Sequence, residues 1–395
     1  MPNILKKVFY NLAFQVLVAL ILGIVVGKYF PDFSIKQRFI GKYFIEVTEW
    51  FAAPVIFLSV ATGIAGIVSL RKLGRIAIKS FILFEVLTTL AIVFGMVMEV
   101  FMRSGSINKS LLEGMIKAPI RLPQNKVASG WNNFILEHNV VWVLILAVAV
   151  GLLLHFLPKR DSYISSLENI KGAIFKLITL FFYLTPLAVF SGMAYTIATF
   201  GIHSILPMSK LVAIMYLSAI VYVLLFLGLL LRYYRLSIWR MLVLIREELV
   251  IVFGTSSSRT VIPLLIPRLE KYGCSKPVTS FVLSTGYSFN LIGTSIYLGL
   301  CVMFLIQLYH VQVDFYTCAK IVLILMVISK GASGVPGAGF IALSSVVYML
   351  PQIPSEGLFF IVAVERFLNE ARAITNNHRK CGQHFSHRKK RKRFW

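Results

Sequence analysis

The chain has 395 residues, 58% hydrophobic and 14% charged, with a mean hydropathy of +0.81. That composition excludes a soluble globular domain, because apolar windows recur that reach the roughly 20 residues a bilayer crossing requires. The net charge of +24 is gathered in short segments between apolar runs and in the tail. That placement points to membrane orientation rather than a nucleic-acid-binding face.

The first apolar run, about 9–30, follows Lys6 and Lys7. It is longer than a signal-peptide core and lacks a small-x-small cleavage site, so it reads as a retained span. Span 2, about 39–69, ends at Arg71, Lys72 and Arg75, and span 3, about 77–102, carries Glu85, Thr88 and Thr89. The polar segment 103–135 reads as a long external loop. Span 4 covers about 139–157, span 5 about 172–200 with a kink expected at Pro186, and span 6 about 208–231. The four cysteines, Cys274, Cys301, Cys318 and Cys381, have neither paired nor metal-like spacing, so no disulfide framework and no metal site are expected.

Beyond Arg240 the hydropathy becomes irregular. VLIREELVIVFGTSSSRTVIPLLIPRLEKYG has two apolar arms too short to span, joined at Ser256, Ser257 and Ser258. That form suits a re-entrant helical hairpin whose irregular backbone is shielded by protein. Span 7, about 277–307, is interrupted between Ser288 and Thr294, which predicts local unwinding around Asn290 and Gly293. The stretch 316–350 repeats the hairpin form, with Ser329 to Gly339 as its Gly-rich turn, and span 8 covers about 356–377. Two hairpin-plus-span units in succession predict an inverted repeat of broken helices, the architecture of secondary transporters. If the amino terminus is inside, most basic clusters between spans fall on the cytoplasmic side together with the tail, so both termini are expected there.

Span 8 holds the residues on which function turns. Glu365, Asn369, Arg372 and Asn376 are spaced 4, 3 and 4 apart, which puts all four on one helical face. Charged and amide groups at that depth face a bundle interior or a wet path and mark a substrate or ion route. Arg372 offers a planar, bidentate fork for a carboxylate. The hairpin serines and glycines, with half-helix N-termini, would hold a second anionic group. A serine hydrolase is set aside, because no His or Asp stands in triad relation to Ser256–Ser258 and no Gly-x-Ser-x-Gly elbow occurs.

Read in order, GTSSSRTVIP, GYSFNLIGTSIYL, SKGASGVPGAGFIAL and ERFLNEARAITN resemble the dicarboxylate/amino acid:cation symporter family. The likeness is nearest to its bacterial four-carbon dicarboxylate branch, whose members carry succinate, fumarate and malate. It extends to AAPVIF…TGIAGI in span 2 and covers nearly all of the chain before residue 377. It implies an all-α polytopic membrane protein of eight transmembrane helices plus two re-entrant hairpins, in a homotrimer of the bacterial inner membrane. Scaffold spans 1–2 would occupy 1–71, transport-unit span 3 72–102, the external loop 103–135, scaffold spans 4–5 136–202, the transport core 203–377, and a basic tail 378–395. The substrate site is expected at Ser256, Ser257, Ser258, Thr294, Gly334, Arg372 and Asn376. Cation or proton coupling is expected at Thr88, Thr89, Asn290 and Glu365, with sodium or a proton as co-transported ion and no cofactor.

Five departures from the family pattern stand out. Ile292 replaces the usual acidic cation ligand of span 7, which removes the charge compensation of a cation site. Arg259 stands where the first hairpin has an acidic residue, and Glu365 stands where Asp is usual. Asn369 lacks the carboxylate that would suit an amino-acid ammonium, which argues for dicarboxylates. In the tail, NHRKCGQHFSHRKK, back-translated and read one nucleotide later, can encode the family's expected ending over fourteen residues. A +1 frameshift is the hypothesis this raises, and a DNA sequence with no single-base repair of an apolar ending would exclude it. Read literally, the tail is a polybasic segment suited to anionic lipid. A transport-impaired relative acting as a binder or sensor partner is the alternative function.

Overall fold

The computed structural model describes residues 12–68, 75–106, 139–154, 157–158, 160–233, 235, 237–255, 258, 261–271, 286, 290–331, 337–350 and 352–392. Helices dominate, and no strand occurs among the described residues. The first half contains α1 (Leu12–Tyr29), α2 (Pro31–Lys36), α3 (Phe39–Trp50), α4 (Ala52–Val68), α5 (Arg75–Met102), α6 (Asn139–Leu153), α7 (Arg160–Phe181) and α8 (Thr185–Phe200). The second contains α9 (Ile205–Tyr222), α10 (Gly228–Tyr233), α11 (Ile238–Leu244), α12 (Arg246–Thr255) and α13 (Ile262–Lys271). It closes with α14 (Ile292–Leu308), α15 (Phe315–Gly331), α16 (Ala338–Tyr348) and α17 (Leu358–Lys392).

Among these residues, four stretches are long and apolar enough to cross a membrane: Pro31–Ala65, Lys79–Met102, Arg160–Phe200 and Ile202–Tyr233. Phe14–Tyr29, Ile292–Leu308 and Ala338–Tyr348 are shorter apolar helices. The protein is therefore a helical, multi-pass membrane protein. α5 illustrates the pattern: Ile82, Val86, Leu90, Val93, Val97 and Val100 lie exposed at steps of three and four, while Phe84, Thr88, Ala91, Ile92 and Met96 face inward.

Local interruptions have local causes. The expected single span over 39–69 is divided at Phe51, because Pro54 has no N–H to offer the Trp50 carbonyl one turn earlier. Between α7 and α8 a single 3₁₀ turn, Phe182–Leu184, precedes Thr185 and Pro186, which places the expected Pro186 kink just ahead of the proline. Between α9 and α10 a π turn, Val223–Leu227, widens the helix directly ahead of Gly228.

α14 occupies the centre. Every residue in it except Gln307 is buried, as a helix apolar on all sides must be. Its approach to α5 depends on small residues: a Cβ on Gly95 would stand 2.5 Å from the Ile296 carbonyl oxygen, and one on Gly299 2.5 Å from that of Ile92. Such backbone-to-backbone contact needs glycine on each side in turn. α1 meets α8 in the same way at Gly27, where a Cβ would be 2.6 Å from the Ala194 oxygen. Elsewhere glycine meets an aromatic ring instead of backbone. Gly41 and Gly192 abut the Phe359 ring of α17, and Gly337, at φ 82, abuts the Phe182 ring.

Helices occupy both stretches where short arms are expected. α12 and α13 are tied by Arg268, which donates to the Leu244 carbonyl at 2.9 Å and lies 3.0 Å from Glu248, with Glu247 as a further partner. α15 and α16 form the second pair, with left-handed Gly337 opening α16.

Candidate functional site

The four-residue stripe of α17 faces the bundle. Glu365, Asn369, Arg372 and Asn376 are 5%, 3%, 2% and 1% exposed, and the helix does not stop at Glu365 but continues to Lys392. The Arg372 guanidinium donates to the Asn369 side-chain oxygen one turn back. It stacks 5.8 Å from the centre of the Tyr297 ring of α14. The Tyr297 hydroxyl donates to Glu365 Oε2 at 2.8 Å. One tyrosine of α14 thus meets both the cation and the carboxylate of α17.

α16 supplies the next wall. A Cβ on Gly339 would lie 1.8 Å from Arg372 Nη1, so the guanidinium rests directly on the backbone of the second arm pair. Only glycine leaves that space.

Asn376 closes the lower end. Its Oδ1 accepts from the Gly293 N–H at 2.8 Å, and its Nδ2 donates to Thr294 Oγ1 at 3.3 Å. Leu291 gives α14 no side-chain cap, so the orphan N–H of the first turn is satisfied by an amide from another helix. Asn290 and Leu291 are non-helical, but Gly293 and Thr294 already lie inside α14. The break expected over Ser288–Thr294 is therefore narrower at its C-terminal side, and residues 287–289 lie outside the described residues.

The remaining candidates divide. Asn290 is buried at the break, its N–H donating to the Gly286 carbonyl at 3.1 Å. Ser258 is fully buried, and its hydroxyl has no hydrogen-bond partner among the described residues. Ser256, Ser257, Arg259 and Gly334 lie outside the described residues. Thr88 is buried on α5 and Thr89 half-buried. The Lys330 ammonium of α15 occupies the Thr88 hydroxyl at 3.1 Å and sits 2.9 Å from Glu85. Ile292 lines an apolar cavity of about 10 Å³ with Leu87, Tyr222, Val223, Leu227 and Thr375, at the lower limit for one water. The π turn forms one side of it.

Sequence reasoning missed several of these partners. Tyr297 stands three residues after Thr294, and its spacing alone would place it on the same face. Arg366 and Glu370, 3.1 Å apart and four residues apart on α17, balance each other on a second, largely buried face. Lys330 and Gly339 were hidden inside a Gly-rich stretch whose composition speaks first of turns.

Comparison with known proteins agrees with this geometry. Residues 12–381 match the sodium:dicarboxylate symporter family. A C4-dicarboxylate transport protein of Bacillus subtilis (strain 168) is 37% identical over 386 residues, covering 94% of this chain and 91% of that protein. Another of that name from Burkholderia multivorans is 34% identical, covering 94% and 90%, and one from Burkholderia pseudomallei (strain 668) is likewise 34% identical. An all-helical membrane bundle with a buried arginine stripe, matched over nearly its whole length, belongs to the sodium:dicarboxylate symporter family.

Proposed function

We propose that the protein is a secondary active carrier that imports four-carbon dicarboxylates such as succinate, fumarate and malate by sodium- or proton-coupled symport. One observation carries this: Arg372, a permanent cation, is buried inside an apolar bundle against the bare backbone of Gly339. A guanidinium so placed is costly unless an anion visits it. Arg372 takes one substrate carboxylate. Ser256, Ser257, Ser258 and Gly334 take the other, and Thr294 and Asn376 shape the floor between them. Asn290, Thr89 and Glu365 serve coupling, and Thr88, expected to hold the coupling ion, instead accepts from the Lys330 ammonium. The relatives' shared name, C4-dicarboxylate transport protein, supports this substrate class.

The architecture we infer has eight spans and two re-entrant hairpins, α12–α13 and α15–α16, related as an inverted repeat. Residues 1–71 and 136–202 form the scaffold, and 72–102 with 203–377 form the transport unit. In support, long-range polar bonds among the described residues stay inside one set: Tyr297–Glu365, Gly293–Asn376 and Lys330–Thr88 in the transport unit, while in the scaffold the Lys171 ammonium donates to the Thr62 hydroxyl at 2.9 Å. A homotrimer in the bacterial inner membrane, with lipid around it and both termini cytoplasmic, completes the proposal.

A second reading, a transport-impaired relative that only binds or senses, is favoured by Ile292, which puts an aliphatic side chain in an apolar cavity where the family has a carboxylate. Uptake of labelled succinate into proteoliposomes under imposed sodium or proton gradients separates the two. Accumulation against the gradient is expected of a carrier. Flat uptake with retained succinate binding supports the binder, and absence of both refutes the site.

A further inference from the structure

Lys330 stands one residue before the end of α15. Its side chain is 12% exposed, and its ammonium lies 2.9 Å from Glu85 Oε1 and donates to Thr88 Oγ1 at 3.1 Å. Both acceptors belong to one turn of α5, so they approach the ammonium from one side. The Thr88 hydroxyl spends its own proton on the Phe84 carbonyl at 2.8 Å, which leaves its oxygen turned to Lys330 as an acceptor. The same α5 turn supports the start of α14. The Phe84 ring backs Gly286, where a Cβ would sit 3.5 Å away, and Leu87 lines the cavity beside Ile292. A carboxylate oxygen and a hydroxyl oxygen within about 3 Å of one positive centre are the kind of ligands a small hard cation takes.

We propose that Lys330 is a tethered counter-ion. Its ammonium fills a monovalent-cation position between Glu85 and Thr88, so that this position is closed to a soluble coupling ion and α15 is fixed to α5 by a charge the chain carries itself. The inference rests on the carrier reading only in taking a soluble coupling ion as the thing displaced. It gives Lys330 a positioning role: the arm that leads to the second Gly-rich turn is held against the break before α14. Removing the ammonium leaves a partly buried carboxylate without its cation, a vacancy that sodium is suited to fill.

The test is thermal melting of the full-length protein in detergent, in sodium chloride and in choline chloride. Lys330→Met should gain a rise of about 2–4 °C in sodium over choline, beyond any rise in the unsubstituted chain. Adding Thr88→Val or Glu85→Gln should remove the gain. Lys330→Gln, which keeps a donor for Thr88 without the charge, should behave as Lys330→Met does. A Lys330→Met that folds in sodium but not in choline meets the expectation. The same sodium dependence as the unsubstituted chain, or failure to fold in either salt, overturns it. Melting reads ion binding, not transport, so a chain that accumulates no succinate would defeat the carrier reading and leave this comparison standing.

Discussion

Gly339→Ala tests the site most directly. The new Cβ would meet Arg372 Nη1 at 1.8 Å and Cζ at 2.7 Å, and Nη1 must recede to at least 3.4 Å for ordinary contact. The helix backbone of α16 has no such freedom, whereas a guanidinium at the end of a flexible stem does, so Arg372 yields. The displaced fork no longer meets a substrate carboxylate with two parallel bonds. Charge-assisted bonds contribute roughly 1.5–3 kcal/mol each, so losing both costs about 3–6 kcal/mol. That corresponds to a drop of roughly 100- to 20,000-fold in succinate affinity. Fold stability should hold or improve slightly, since alanine is preferred to glycine in a helix by up to about 1 kcal/mol. Calorimetric titration of succinate into detergent-solubilised protein reads the first effect, and thermal melting the second. Arg372→Lys should lose the bidentate geometry itself, and adding Gly339→Ala to it should cost little more, because both act through one group. Unchanged succinate affinity in Gly339→Ala would refute the placement of the guanidinium at the binding site.

Three further outcomes are expected. Gly299→Ala places a Cβ 2.5 Å from the Ile92 carbonyl oxygen, where backbone must give way, so melting should fall by the equivalent of about 1–3 kcal/mol; an unchanged melting temperature would contradict the close α5–α14 packing. Tyr297→Phe keeps the ring against Arg372 but removes the donor to Glu365, at a stability cost of about 1–3 kcal/mol, and a neutral melt would show the bond to be dispensable. Ile292→Asp sets a carboxylate among Leu87, Tyr222, Val223 and Leu227, so it should lower melting in choline and recover in sodium. Equal loss in both salts would count against a cation ligand at this position.

How much of this was legible beforehand depended on periodicity. The α17 stripe follows from steps of 4, 3 and 4 within one helix, and all four of its residues are buried as that spacing requires. The short helices α12, α13 and α16 were equally readable, because apolar runs too short to span announce themselves. What stayed hidden joins separate elements. Asn376 caps a helix that begins 84 positions earlier in the chain, at Ile292, and no local pattern links the two. Lys330 sits in SKGASG, whose composition argues for a turn and says nothing about Glu85 on another helix. The π turn at Val223–Leu227 lies in an uninterrupted apolar run. Arg366–Glu370 was available as an i,i+4 pair, but the polar stripe beside it claimed the helix first.

The rings that meet glycine deserve a mechanical thought. The Phe359 ring packs against Gly41 and Gly192, and the Phe182 ring against Gly337, with Tyr195 tilted 5.4 Å from Phe359. A planar hydrocarbon on a bare chain forms no directional bond and keys into no notch. Such a seam is held by dispersion alone, so a small shift along it trades one apolar contact for another at little cost.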